Sequence, residues 1–299
     1  MTFGLASIIR SFLYKPKMSC HSDLDPANPQ EDSLLFNFIP AEIRNQIFDL
    51  VCTAYDDKAH PYPQDAYYYR PRFRYAHRID TAILRTCRRA YMETRHLPGS
   101  LNSHVEWHNR SRGPPVWTAE QGSPRSATSV HLFMQQVCLQ SWDQRAYCLT
   151  QEFDHLRELK ITIRHRDWWY WESDHALGLD PKSSESYGIG QPADVNAPLI
   201  PNGAWGRSFY YLEGLERFVL ELETRAGKEK ELEAIVARAK DWRFGLGDGS
   251  SLALDPVKTK RTGWIGRQLD PAKTRRTGFL GRPFCTWFLT QILKQVESN

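Results

Sequence analysis

The stretch HRDWWYWESDH, residues 165–175, gathers groups that do chemistry: a His, an Arg and an Asp, followed by four aromatic rings. His-Arg-Asp opens the catalytic loop of protein kinases, where the Asp accepts the proton of the attacking hydroxyl. That use requires an Asn five residues later for a second magnesium, a glycine-rich loop before it and Asp-Phe-Gly after it. The fifth residue after Asp167 is Glu172, and the other parts are missing, which excludes phosphoryl transfer of this kind. Two readings remain. Either an enzyme site of unforeseen type lies near His165 or Asp167, or Trp168, Trp169, Tyr170 and Trp171 stack a ligand or peptide. Aromatic runs are more often divided, alternate rings entering the core and the others covering a loop.

Other chemistry has less support. GLGDGS, residues 245–250, follows a helical pattern rather than a strand and lacks Gly-Lys-Ser/Thr, so it reads as a turn, not a phosphate cradle. The ten His show no metal-ligand spacing, and no Gly-x-Ser-x-Gly elbow occurs. The six Cys (20, 52, 87, 138, 148 and 285) form no Cys-x-x-Cys, and Cys52 and Cys87 fall in apolar helical patterns. This is reduced, intracellular usage rather than a disulfide framework or zinc site. The reading is therefore of no catalytic residue, no metal and no cofactor.

Charge offers one surface candidate. The net charge is +4, yet residues 254–283 alone hold eight Lys and Arg against two Asp. LDPVKTKRTGWIGRQ (254–268) is followed at once by LDPAKTRRTGFLGRP (269–283), a tandem copy with a period of fifteen residues. Asp-Pro and the glycines make each copy turn-rich. Lys258, Lys260 and Arg261, with Lys273, Arg275 and Arg276, join Trp168, Trp169 and Trp171 as the candidate contact surface. The two basic clusters also have the form of a two-part nuclear import signal. Such a segment is more often a solvated surface than a nucleic-acid site.

The elements that must position these groups begin with two Glu-x-Arg triplets. NFIPAEIRNQIFDLV (37–51) reads as a helix starting at Pro40, with Glu42 favoured in its first turn. Ile43, Ile47, Leu50 and Val51 form its apolar stripe. A second helix starts near Asp80 or Thr81, carries Ile83, Cys87, Ala90 and Tyr91 in the same register, and stops at Pro98-Gly99. Residues two apart on a helix do not face each other, so neither triplet pairs internally. Antiparallel packing of the two helices would bring Glu42 and Arg44 against Arg95 and Glu93 as structural ion pairs.

Beyond residue 100 the period changes from 3.6 to 2. Residues 104–108, 130–134, 159–163 and 218–222 read as strands, and 228–244 as a helix with a Leu232, Ile235, Val236 and Ala239 stripe. The expected fold is α+β: an N-terminal helical pair, then an irregular, partly solenoid-like sheet with backing helices. Its expected divisions are a tail over 1–35, a helical module over 36–99 and a mixed domain over 100–299, with a long loop at 173–208. The basic N-terminus, MTFGLASIIRSFLYKPKMSC, is expected to be a frayed tail or a weak targeting helix. No apolar run reaches the roughly 18 residues of a membrane span.

FIPAEIRNQIFDLV with ILRTCRRAYMETRHL resembles the paired Glu-x-Arg (two-EXR) domain of fungal proteins, an F-box-like module. The first half is similar to the opening of an F-box, whereas the spacing from Pro40 to Cys87 exceeds that of an F-box. The resemblance covers about residues 36–97. It implies a non-enzymatic, cytoplasmic or nuclear protein that binds another protein. Two alternatives stand beside that reading: an F-box-type substrate receptor, with the Skp-type adaptor of cullin ubiquitin ligases as partner, and the enzyme with a site near Asp167. The receptor alternative requires an apolar patch near the first helix to stay exposed.

Overall fold

The computed structural model describes residues 27–64, 66, 68–108, 124–173, 175–182, 204–265 and 283–294. The N-terminal stretch 1–20, expected as a frayed tail or a weak targeting helix, lies outside them, as do Lys273, Arg275 and Arg276.

The protein combines helices and strands. A π-helical turn, Leu34–Phe38, leads through Pro40 into α1, Ala41–Cys52. A two-stranded antiparallel hairpin follows, β1 (Tyr55–Pro61) and β2 (Tyr75–Arg78). The expected second helix is broken in three. Ala82–Arg85 is a 3-10 turn, α2 runs Arg88–Thr94 and α3 runs Leu97–Ser100. Cys87, expected on the stripe, is instead the N-cap of α2, with an extended backbone and its sulfur accepting from the Ala90 N–H. Pro98 and Gly99 do not stop the helix; both are buried within α3, where Pro is tolerated in a first turn.

One eight-stranded sheet organises the rest, in the order β3-β4-β5-β6-β10-β8-β7, with β9 also on β10. Strands β3 (Ser103–His108), β4 (Ser129–Met134), β5 (Glu158–Ile163) and β6 (Arg217–Arg225) are those expected from the period of two. They lie side by side in chain order and parallel. Missing from the sequence reading are β7 (Arg243–Gly245), β8 (Ser251–Leu254), β9 (Lys260–Ile265) and β10 (Pro283–Lys294). One edge of β10 pairs β6; along the other, its first half pairs β9 and its end pairs β8, all antiparallel. The first basic copy is therefore partly a strand, not only turns.

Side chains alternate across the strands, so the sheet has two unlike faces. On one, Leu132, Leu159, Ile161, Leu220 and Leu222 are buried in the main apolar core. That core also takes Trp142 and Leu149 of α4 (Trp142–Glu152), Phe209, and Leu232, Ile235, Val236 and Ala239 of α5 (Glu229–Ala239). The α5 stripe is the one expected, although the helix ends before Trp242 and Phe244, which belong to the approach to β7 and to β7 itself. The opposite face carries His131, Phe133, Lys160, Thr162, Glu221 and Glu223.

Candidate functional site

At the N-terminus one of the two expected ion pairs is present. The Arg44 Nε lies 3.1 Å from a Glu93 oxygen. The other Glu93 oxygen takes Arg89 Nε, also at 3.1 Å. Both guanidinium groups lie over the ring of Phe36, at 5.2 Å for Arg44 and 4.5 Å for Arg89. Glu93 thus holds two cations that grip the π-helical turn by cation–π attraction. Glu42 and Arg95 are exposed and form no ion pair with each other among the described residues. The reason is the packing sense. Arg44 meets Glu93, while the Asn102 side chain binds the Cys52 carbonyl at 2.8 Å and the Ala54 N–H at 2.6 Å. Contacts advance together along both segments, so they run in the same sense rather than antiparallel, and Arg95 is carried away from Glu42.

This packing also fixes which side of α1 is covered. Arg44, Phe48 and Cys52, at i, i+4 and i+8, face inward. The stripe expected to be core faces outward: Ile43 is 47% exposed and Leu50 77%, with Ile47 and Val51 only partly covered. Leu34 and Phe38, one turn apart before the helix, are 73% and 71% exposed. A periodic stripe shows that a helix has an apolar side; it does not say what covers that side. Here the inward side is chosen by the ring of Phe48 and the Arg44–Glu93 pair.

A second constellation lies on the polar face of the sheet. The turn Arg70-Pro71-Arg72-Phe73, in the segment joining β1 to β2, reaches down onto it. Arg72 takes a left-handed φ of 70°, and Arg70 and Phe73 form a bridge across the turn. Pro71 pre-sets the φ of the preceding position of such a turn. Phe73 packs edge-on to Phe133 at 5.0 Å and Trp107 at 5.7 Å. Arg70, only 6% exposed, is ion-paired to Glu221 and lies 3.5 Å from Glu223. Lys160 Nζ is 2.6 Å from the second Glu221 oxygen, which also accepts from the Thr162 hydroxyl at 2.9 Å. His131 Nε2 lies 2.8 Å from that hydroxyl. Because the hydroxyl's one proton goes to the carboxylate, His131 must donate through Nε2.

The titrations follow from burial and neighbours. Burial would raise the Glu221 pKa, but Arg70 and Lys160 hold it below the usual range. Burial pushes Glu223 up, Arg70 opposing and Glu221 adding to the rise. Burial takes the His131 pKa well below the usual imidazole value, and Lys160, Arg70 and Arg72 add to this. Burial also lowers Lys160, against the pull of Glu221. Clusters of this kind occur both in active sites and in structural polar cores.

The aromatic run is divided. Arg164 binds Asp167 through two nitrogens, at 2.6 and 3.1 Å, and both residues are buried. His165 is buried as well. Trp168, expected as a contact residue, is 3% exposed, and its indole donates to the Glu223 carbonyl at 2.8 Å. It belongs to the core because it directly follows the turn after β5. Trp169 stacks on the exposed Tyr170 at 5.4 Å, and Trp171 packs at the core margin. Of the basic residues, Lys258, Lys260 and Arg261 are exposed; Lys258 reaches Asp255 at 3.8 Å and Arg261 reaches Glu233 at 3.0 Å.

Sequence reasoning missed Arg70, Lys160, Glu221 and Glu223. The alternation of Lys160, Glu221 and Glu223 with apolar residues was visible, but a charged strand face reads as solvated until something is known to cover it, and Arg70 lies in a connection without a period. Among the described residues, no group of His, Cys, Asp and Glu is arranged to hold a metal, and no helix is long and apolar enough to cross a membrane. Comparison with family models, with curated proteins and with solved structures gives no match for this chain.

Proposed function

We propose that this chain is a protein-interaction module without chemistry of its own, and that α1 is its docking element. The observation that carries the reading is the outward-facing stripe: Ile43 and Leu50 on α1, with Leu34 and Phe38 just before it, stand largely in solvent. Large apolar side chains left exposed on one helix suggest an interaction surface, and a helix face with anchors at i and i+7 suits a groove on a partner. The Arg44–Glu93–Arg89 cluster supports this by holding the π-helical turn and α1 in a fixed relation before any partner arrives. The occupant we assign is a Skp-type adaptor, because the exposed face belongs to the segment that resembles an F-box opening. The sheet domain would then carry the recognised protein, with exposed Lys258, Lys260 and Arg261 as contact candidates.

Size-exclusion co-elution of the purified chain with a purified Skp-type adaptor tests the reading. Ile43→Asp with Leu50→Asp should abolish co-elution while leaving stability within about 0.5 kcal/mol, as for exposed positions generally. Phe48→Ala should cost about 3–5 kcal/mol, as for a buried ring. Absence of co-elution with the native chain, or co-elution that survives the double substitution, sinks the assignment.

The buried charges favour no second reading of comparable strength. Asp167 and His165, near which the alternative enzyme reading placed a site, are respectively 4% and 5% exposed.

A further inference from the structure

A cleft of about 400 Å³ opens at the far end of the sheet from the charged cluster, lined by Thr150, Phe153, Asp154, Tyr211, Leu212 and Glu213. Its walls come from two elements that both finish there: α4, and the 3-10 segment Trp205–Tyr211. The C-terminal end of a helix carries partial negative charge from its unpaired carbonyls. Neither element has a basic residue in its last turn to offset this. Asp154 and Glu213 add two full negative charges, and neither forms an ion pair among the described residues. Arg157, nearby in sequence, is turned to the Gly214 carbonyl at 3.1 Å and to Glu216 at 3.4 Å.

Tyr211 and Phe153 are the aromatic residues of the cleft wall, and Tyr147 and Tyr210 stand against Tyr211 beyond the lining. Tyr147, Tyr210 and Tyr211 are 55%, 59% and 45% exposed. Tyr211 lies edge-on to Tyr147 at 6.2 Å and to Tyr210 at 6.1 Å. Gly247 keeps this wall in place. A Cβ there would lie 2.6 Å from the Tyr210 carbonyl and 2.7 Å from a Glu213 oxygen, so only glycine lets the loop sit against them. The exposed Tyr211 ring, two carboxylates without an ion pair among the described residues and a helix C-terminus favour one chemical class, an organic cation held by cation–π attraction and charge.

We infer that this cleft binds an alkylammonium or guanidinium group, carried either by a small free amine or by a Lys or Arg side chain of a peptide. The site is independent of the α1 docking face. Isothermal titration of the full chain with choline, with a short Lys/Arg peptide and with acetate tests it. Choline or the peptide should bind and acetate should not, and the tighter of the two cations identifies the source. Tyr211→Ala should weaken binding roughly threefold to tenfold. Glu213→Gln with Asp154→Asn should remove it, with circular dichroism and thermal melting unchanged because both positions are exposed. Failure of both cations to bind in the millimolar range, or binding unchanged in the carboxylate variant, overturns the inference.

Discussion

Arg70→Met is the sharpest probe of how the protein holds together. Arg70 reaches from the β1–β2 connection into the polar face of the sheet, where it meets Glu221 and Glu223 and lies 5.4 Å from the ring of Phe133. Met keeps much of the packing volume and removes the charge. Glu221 retains Lys160 and Thr162, but Glu223 loses its main compensating cation. Removing one partner of a buried pair costs about 3–5 kcal/mol, because the other charge is left desolvated. Glu223 can relieve part of that by taking a proton. Its folded pKa is already above its unfolded value, so the native state binds more protons in the interval between the two. Stability from this group is full below the unfolded pKa and falls as pH rises through the folded one. Loss of Arg70 raises the folded value further and widens that interval. Urea unfolding should therefore give a deficit of about 3–5 kcal/mol near neutrality. The deficit should shrink on mild acidification by about 1.4 kcal/mol for each unit the Glu223 pKa has risen. A deficit under about 1 kcal/mol, the same at both pH values, would mean that Arg70 behaves as a surface charge and that the buried network is misjudged.

The remaining predictions concern the clasp and the buried imidazole. Glu93→Gln should destabilise the chain by about 1–3 kcal/mol through loss of charged hydrogen bonds to Arg44 and Arg89. Glu42→Gln and Arg95→Gln should stay within about 0.5 kcal/mol; denaturant midpoints of the three variants decide. His131 has a depressed folded pKa, so its contribution is present above the unfolded value and lost as pH falls below about 6.5. His131→Gln should flatten that part of the stability–pH curve, as followed by thermal melting across the window; an unchanged slope would remove His131 as its source.

What the sequence determined alone were the features set by local periodicity. The alternation over β3, β4, β5 and β6 follows from a pleated backbone whose neighbours point to opposite faces, and the α5 stripe follows from 3.6 residues per turn. Glu93 and Arg44 were legible as candidate partners from their opposite charges, but the antiparallel packing that was to join them is not the one found, and Glu42 and Arg95 stay apart for that reason. Tertiary structure decided everything that depends on what covers a face. The stripe Ile43, Ile47, Leu50 was readable as apolar, but packing through Phe48 and Arg44 turned it to solvent. Lys160, Glu221 and Glu223 were readable as the polar side of their strands, but the Arg70–Phe73 turn packs onto that side, burying both Glu residues and leaving Lys160 partly covered. Neighbours in sequence set which residues share a side. Which side becomes interior depends on segments far along the chain: Arg70 is 151 residues from Glu221.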